Sequence, residues 1–92
     1  MGVKLYYTTV TASREVKSNQ AEVQRILDSK NIPYELIDIS VCGDVRNEMR
    51  TKAGNPTAAP PQLFNEDHYC GDYSKFREAV EANAVEQFLK IA

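Results

Sequence analysis

Apolar and polar residues switch between two periodicities along this chain, and the switches mark out eight elements. Val3-Lys4-Leu5-Tyr6-Tyr7 is rich in β-branched and aromatic residues and reads as a strand. The small polar run from Thr8 to Ser13 ends it as a loop, with Ser13 placed to N-cap the next element. From Arg14 to about Lys30, Val16, Val23, Ile26 and Leu27 fall on one side of a 3.6-residue repeat, which predicts a helix. Its early part, Lys17 to Gln20, is polar and implies a bend or a late start. Asn31-Ile32-Pro33 stops this helix, because proline cannot continue it. Tyr34 to Ile39 is the second strand, and apolar groups on both of its faces suit a strand covered on both sides.

Asp44 can cap a second helix carrying Val45, Met49 and Ala53, and Gly54 stands where a left-handed C-terminal residue belongs, with Pro56 beyond it. Thr57 to Pro61 is a loop. Gln62-Leu63-Phe64 and His68-Tyr69-Cys70 are short strands joined by the turn Asn65-Glu66-Asp67, with Gly71 breaking the second. Asp72 can cap a third helix with Tyr73, Phe76, Ala79 and Val80 on one face. Asn83, with Glu86 three residues on, restarts a last helix whose stripe is Val85, Phe88, Leu89 and Ala92. The order βαβ–α–ββ–αα, with a right-handed first crossover, gives an α/β fold. It is the thioredoxin-like layout of a four-stranded mixed sheet with helices on both faces. Function in such sheets tends to sit beyond the carboxyl ends of strands, here at the loop after the first.

Length and charge narrow this. The 92 residues imply one domain spanning 1–92, in which folding buries about 60–65% of the unfolded chain's surface. Eleven basic against thirteen acidic residues give a net charge of −2, which argues against a nucleic-acid partner, and 42% hydrophobic content argues against disorder. No apolar run approaches a membrane span, and neither a signal peptide nor a C-terminal prenylation box is expected. Met1-Gly2 is the start of a myristoylation signal, but Tyr6 stands where that signal wants serine or threonine. Cys42 and Cys70 form no CxxC and are too few for a disulfide scaffold, and His68 is the single histidine, so no metal site is expected. The composition favours a reduced, cytosolic chain.

Two segments carry a resemblance. Tyr6-Tyr7-Thr8-Thr9-Val10-Thr11-Ala12-Ser13-Arg14 occupies the place of the glutaredoxin strand and its Cys-Pro-Tyr-Cys loop, and Ala59-Pro60-Pro61-Gln62-Leu63-Phe64 resembles the glutaredoxin Thr-Val-Pro-Gln-Val-Phe motif. Ser13-Arg14-Glu15, Glu48-Met49-Arg50, Ala53-Gly54-Asn55-Pro56, Pro60-Pro61-Gln62 and Tyr69-Cys70-Gly71-Asp72-Tyr73 are together similar to the SH3-domain-binding glutamic-acid-rich-like family, a glutaredoxin-related group without the active-site cysteines. The likeness covers essentially the whole chain and looks closest to that family's short branch, which lacks a glutamic-acid-rich tail. It implies a glutaredoxin-like fold, a cytoplasmic and also nuclear location, and a role as interaction partner or modulator rather than redox catalyst.

The same resemblance sets Thr11 at the nucleophile position and Arg14 at the resolving position. A thiolate at a helix start does the family chemistry, and a threonine hydroxyl has neither the acidity nor the ability to form a mixed disulfide. Thr11 and Ser13 therefore read as caps and loop hydrogen-bond formers. The residue matching the backbone donor to glutathione is Pro60, which has no N–H; Pro61 matches the cis-proline. Cys70 replaces one glycine of the ligand-binding pair, Gly71 keeps the other, Ser74 stands at the position of an aspartate, and Asp72 opposes an anion at the helix start. Weak or absent glutathione binding is the expectation, and no other cofactor is implied.

Cys70 remains a candidate modified thiol, though a small apolar group at a strand end is the plainer reading. In the glutaredoxin sheet order the second and fourth strands are opposite edges, too far apart for Cys42 to pair with it. Pro60-Pro61-Gln62-Leu63-Phe64 also fits PPxxF, a ligand pattern for EVH1 domains, whereas no PxxP is present. Arg14, Lys17 and Arg25 with Glu15 and Glu22 read as a solvated helix face. The expectation is a monomeric, non-catalytic protein that binds a protein partner through the rim of a vestigial active site, comprising Thr11, Ser13, Arg14, Pro60, Pro61, Gly71 and Asp72. The alternative is a glutathione-linked oxidoreductase or electron carrier using Cys70.

Overall fold

Burial on both faces is what the alternation in the first strand dictates, and the computed structural model, which describes residues 2–10 and 13–91, shows how it is met. Strand β1 (Val3–Tyr7) lies between β2 (Tyr34–Asp38), with which it is parallel, and β3 (Gln62–Asn65), with which it is antiparallel; β4 (His68–Asp72) completes the order β2-β1-β3-β4. The register sets Leu5 against Leu36 on one side and Leu63 on the other. Four helices complete the fold: α1 (Arg14–Ser29), α2 (Gly43–Ala53), α3 (Tyr73–Glu81) and α4 (Val85–Phe88).

Side chains of a strand point alternately to the two faces, so two cores form. Val3, Leu5 and Leu63 pack with Val23 and Leu27 of α1, Phe76 of α3, and Val85 and Leu89. On the opposite face Tyr6 and Phe64 pack with Met49 of α2, Ile39 and Ala58. The Tyr6 and Phe64 rings meet edge-on with centroids 5.0 Å apart. This is the thioredoxin-like mixed sheet with helices on both faces that the element order implied. Phe64 is completely buried, which removes the PPxxF segment from any folded-state docking role.

Four local expectations are corrected. The second strand is an edge, not a strand covered on both sides: Glu35 and Leu36 are exposed, because β2 has only β1 beside it. Helix α2 starts two residues earlier, with Cys42 at the cap and no side-chain bond, so Asp44 sits in the first turn rather than capping it. Gly71 does not break β4 but lies inside it, beside a register shift at Leu63/Phe64. Asn83 does not cap α4; it takes φ 54° in the link between helices, and Ala84 is the cap residue, without a side-chain bond. Helix α1 begins at Arg14 without delay, under a Ser13 hydroxyl that accepts from the Val16 N–H at 3.2 Å. Asp72 caps α3 as expected, accepting from Lys75 N at 3.0 Å, and Gly54 ends α2 at φ 68°.

Glu22 also leaves the solvated face assigned to it. Its carboxylate accepts from the Tyr73 hydroxyl and, at 2.9 Å, from the Arg77 guanidinium, clamping α1 to α3. The Tyr73 hydrogen bond, aided by Arg77, holds the Glu22 carboxyl below its ordinary value of 4.5. A carboxyl depressed by folding adds stability above its unfolded value and loses it as pH falls through the folded one. Urea titrations at several pH values should therefore show Glu22→Gln destabilised by about 1–2 kcal/mol at pH 7, the gap to the parent closing below about pH 4. An unchanged gap at acid pH would refute the clamp's ionic character.

Candidate functional site

Parallel pairing of β1 and β2 brings the loops at their carboxyl ends together, with Ile39 N–H donating to Tyr7 O at 2.9 Å. The backbone leaving β1 is held by a buried side chain, Gln20 of α1. Its amide oxygen accepts from Thr8 N–H at 2.8 Å and its amide nitrogen donates to Thr8 O at 3.0 Å, so one side chain satisfies both polar groups of a buried residue. Asp38 ties the neighbouring loop: it accepts from Thr9 Oγ1 at 2.7 Å, from Ser40 Oγ at 2.6 Å and from Ser40 N–H at 2.9 Å. The Ser40 bonds, then those from Thr9, keep its carboxyl below the usual carboxylate range. A carboxylate so occupied is a fastener and not a base for activating a hydroxyl.

The second loop of the site carries a cis peptide at Pro60-Pro61. Three side chains brace it. Arg50 Nε donates to Ala58 O at 3.1 Å; Asn55 Oδ1 accepts from the Thr57 N–H and hydroxyl, both at 3.0 Å; Gln62 Nε2 donates to Ala59 O at 2.6 Å. Gln62 is itself fixed by the Tyr69 hydroxyl at 2.7 Å. A rigid loop whose backbone is spoken for by α2 and β3 is a scaffold for a surface rather than a moving part.

Two depressions meet at Ala59-Pro60. The smaller, about 240 Å³, is lined by Glu15, Asn19, Pro61, Asp72 and Tyr73 among others. The larger, about 570 Å³, is lined by Thr8, Val10, Val16, Ile39, Arg46 and Arg50 among others. Of the expected rim, the structure thus brings Pro60, Pro61 and Asp72 together. Ser13 is used in the α1 cap, and Arg14, although exposed, lines neither depression. Thr11, like Ala92 of the last helical stripe, lies outside the described residues. Gly71 is buried at φ 153°, where a Cβ would come within 2.9 Å of both Lys75 Cβ and Phe88 Cε1. Its role is close packing, and it offers no face to a ligand.

Cys70 lines neither depression; it is half-buried and packed against the α1/α3 core. Burial pushes its thiol above its ordinary value, with Lys90 opposing only in part, so the thiol is not activated. Cys42 is exposed, on the far side of the sheet order from Cys70, and both thiols are free.

Sequence reasoning passed over Gln20, Gln62, Arg46 and Arg50. Gln20 left a signal: Val16, Gln20, Val23 and Leu27 share one helical face, and a lone polar residue on an apolar stripe asks for a buried partner. Arg46 and Arg50 stand four residues apart, hence on one face of α2, beside the apolar series that drew the eye.

Comparison with known proteins places this frame. A model of the SH3-binding, glutamic acid-rich protein family matches residues 1–92. The chain belongs to that family. A Drosophila melanogaster SH3 domain-binding glutamic acid-rich protein homolog is 39% identical over 104 aligned positions that take in the whole chain, which spans 66% of that relative's length. Among solved structures, C. albicans actin interacting protein Aip5 superposes with a TM-score of 0.79 at 17% identity, covering 96% of this chain and 87% of the other. A buckwheat glutaredoxin–glutathione complex superposes at 0.70 with 14% identity, covering 96% and 76%. At such identities these two show a common fold, glutaredoxin-like as the sequence implied.

The frame's dependence on Gln20 is measurable. Gln20→Ala leaves both Thr8 groups without their partner and should cost about 2–3 kcal/mol in urea unfolding, with amide-shift changes concentrated at Thr8 to Val10. Loss of stability with no change in those loop resonances would contradict the assignment.

Proposed function

We propose that this member of the family is a non-catalytic thioredoxin-fold protein that binds a protein partner through the rim around Pro60, as adaptor or modulator. One observation carries the reading: the glutaredoxin-like fold keeps its proline loop, with a cis Pro60-Pro61 bond, while the residues that would do redox chemistry there are replaced. Pro60 brings no N–H to a glutathione backbone, Asp72 spends a carboxylate at the α3 start, Asp38 is occupied by hydroxyl and amide donors, and Cys70 lines neither depression and has its thiol pushed up. Relatives named for binding an SH3 domain and for interacting with actin support a protein as the partner class. A cytoplasmic and nuclear place of action belongs to the same proposal.

Two experiments test it. In partner capture, the combined variant Val10→Ser, Thr11→Ala, Arg14→Glu should lose at least one partner that the parent retains; full retention overturns the rim. In the redox arm, iodoacetamide at pH 7 should modify exposed Cys42 while sparing Cys70, reduced glutathione should leave the amide resonances around Gly71 in place, and mixed-disulfide reduction should be absent. Reduction that disappears in Cys70→Ser would replace this reading with that of a glutathione-linked oxidoreductase.

A further inference from the structure

Arg46 and Arg50 are the two cations of α2 that the fold leaves unneutralised. The third, Lys52, is held by Glu48 at 2.9 Å and Asp67 at 2.8 Å, and these bonds push its ammonium up. Arg77 and Arg25 share Glu22, and Lys75 lies near Glu78. Among the described residues neither Arg46 nor Arg50 has a carboxylate partner; Arg50 gives only its Nε to Ala58 O, leaving its terminal nitrogens uncommitted. Both line the larger cleft, four residues apart on one helical face.

The rest of that cleft is mixed: Val10, Val16, Ile39, Ala59 and Pro60 supply apolar wall, Thr8 and Ser40 supply polar wall, and no carboxylate lines it. Val10, one of the four large apolar side chains left exposed among the described residues, lines the cleft at 76% exposure. Gly43 of the α2 first turn also faces the cleft, under a cap residue, Cys42, that makes no side-chain bond. Asp44 in that turn is exposed but does not line the cleft. Across Pro60, the smaller depression carries Glu15 and Asp72. Of the basic residues, only Arg46 and Arg50 line the larger hollow, and no carboxylate does.

From this complementarity we infer that the larger cleft docks an acidic peptide segment of the partner, an apolar side chain entering between Val10, Ile39 and Pro60 while flanking carboxylates pair with Arg46 and Arg50. This rests on the protein-binding reading above and adds the chemistry of the occupant. Guanidinium forks take carboxylates bidentately, and the apolar anchor supplies desolvation that exposed ion pairs lack. A free anion would use the arginines alone and gain nothing from the valines. A nucleic acid would need a longer basic track than two residues.

The test uses the full chain and a glutamate-rich peptide bearing one central leucine, followed by fluorescence anisotropy and amide shifts. Saturable binding should map to Val10, Val16, Ile39 and Arg46, weaken at least fivefold in Arg46→Glu, whose side chain is exposed, and weaken further as salt is raised from 50 to 500 mM, as screening requires. A glutamine-for-glutamate peptide and a leucine-to-serine peptide should each bind at least fivefold more weakly. Equal binding to Arg46→Glu, indifference to the leucine, or a stronger response to an oligonucleotide than to the peptide would overturn the inference. The protein-binding reading is separable: if the triple rim variant loses its partner while the parent ignores the acidic peptide, the reading stands and the occupant's chemistry fails. If the peptide binds as described and partner capture survives both the rim variant and Arg46→Glu, the reading falls.

Discussion

Both faces of β1 and β3 must be buried at once, and most of the molecule is a consequence of that requirement. Two central strands of five and four residues cannot hide their alternating side chains with one layer of helices. Val3, Leu5 and Leu63 call for α1, α3 and Val85 on one side; Tyr6 and Phe64 call for α2 on the other. Covering both faces forces a crossover helix between β1 and β2 and hence a parallel pair, which gathers the ends of those strands at one pole. The candidate site is the result, a meeting of loops that the core puts there whatever chemistry they carry.

That constraint explains what could be read from the sequence. Elements governed by apolar periodicity and by punctuation were legible: Val23, Ile26 and Leu27 place α1, Asp72 caps α3, and Gly54 ends α2 in the left-handed region. The misreadings fall where tertiary position decides. The pattern of Tyr34 to Ile39 is that of a two-sided strand, but rank in the sheet is not encoded in a strand's own residues, and β2 turns out to be an edge with Leu36 exposed. Gly71 reads as a stop because glycine usually punctuates; here Phe88, contributed by a distant helix, comes so near that only glycine fits. Asn83 and Asp44 carry capping chemistry one and two residues from where the caps fall, an offset that local preference does not resolve.

The site was legible in its proline loop and in the thiols it lacks, both carried by the family resemblance, and illegible in its braces. Gln20 and Gln62 act through backbone groups of loops far from them in sequence or across a turn, and a glutamine on a helix or strand announces nothing about its partner. Yet these amides define the surface. A catalytic loop must admit a substrate and change its own hydrogen bonding as charge develops. The Thr8 N–H and carbonyl and the carbonyls of Ala58 and Ala59 are taken by side chains of the fold, so much of what is left facing solvent is shape and the side chains of neighbouring helices.

The charges divide accordingly. Where the fold needs an ion pair it makes one, as Glu22 does between α1 and α3 and Lys52 does between α2 and the β3–β4 turn. Arg46 and Arg50 stand outside this pattern on a helix whose other face is tied down by Met49 in the core. An exposed arginine is ordinary; two on one face, lining a hollow they share with Val10, Ile39 and Pro60, with Glu15 and Asp72 segregated beyond Pro60, give the rim a polarity. Like charge on the Asp72 side would repel an acidic segment that crossed the proline ridge. The direction of approach is therefore set from α2 toward Pro60, on a scaffold whose core had already fixed where that ridge lies.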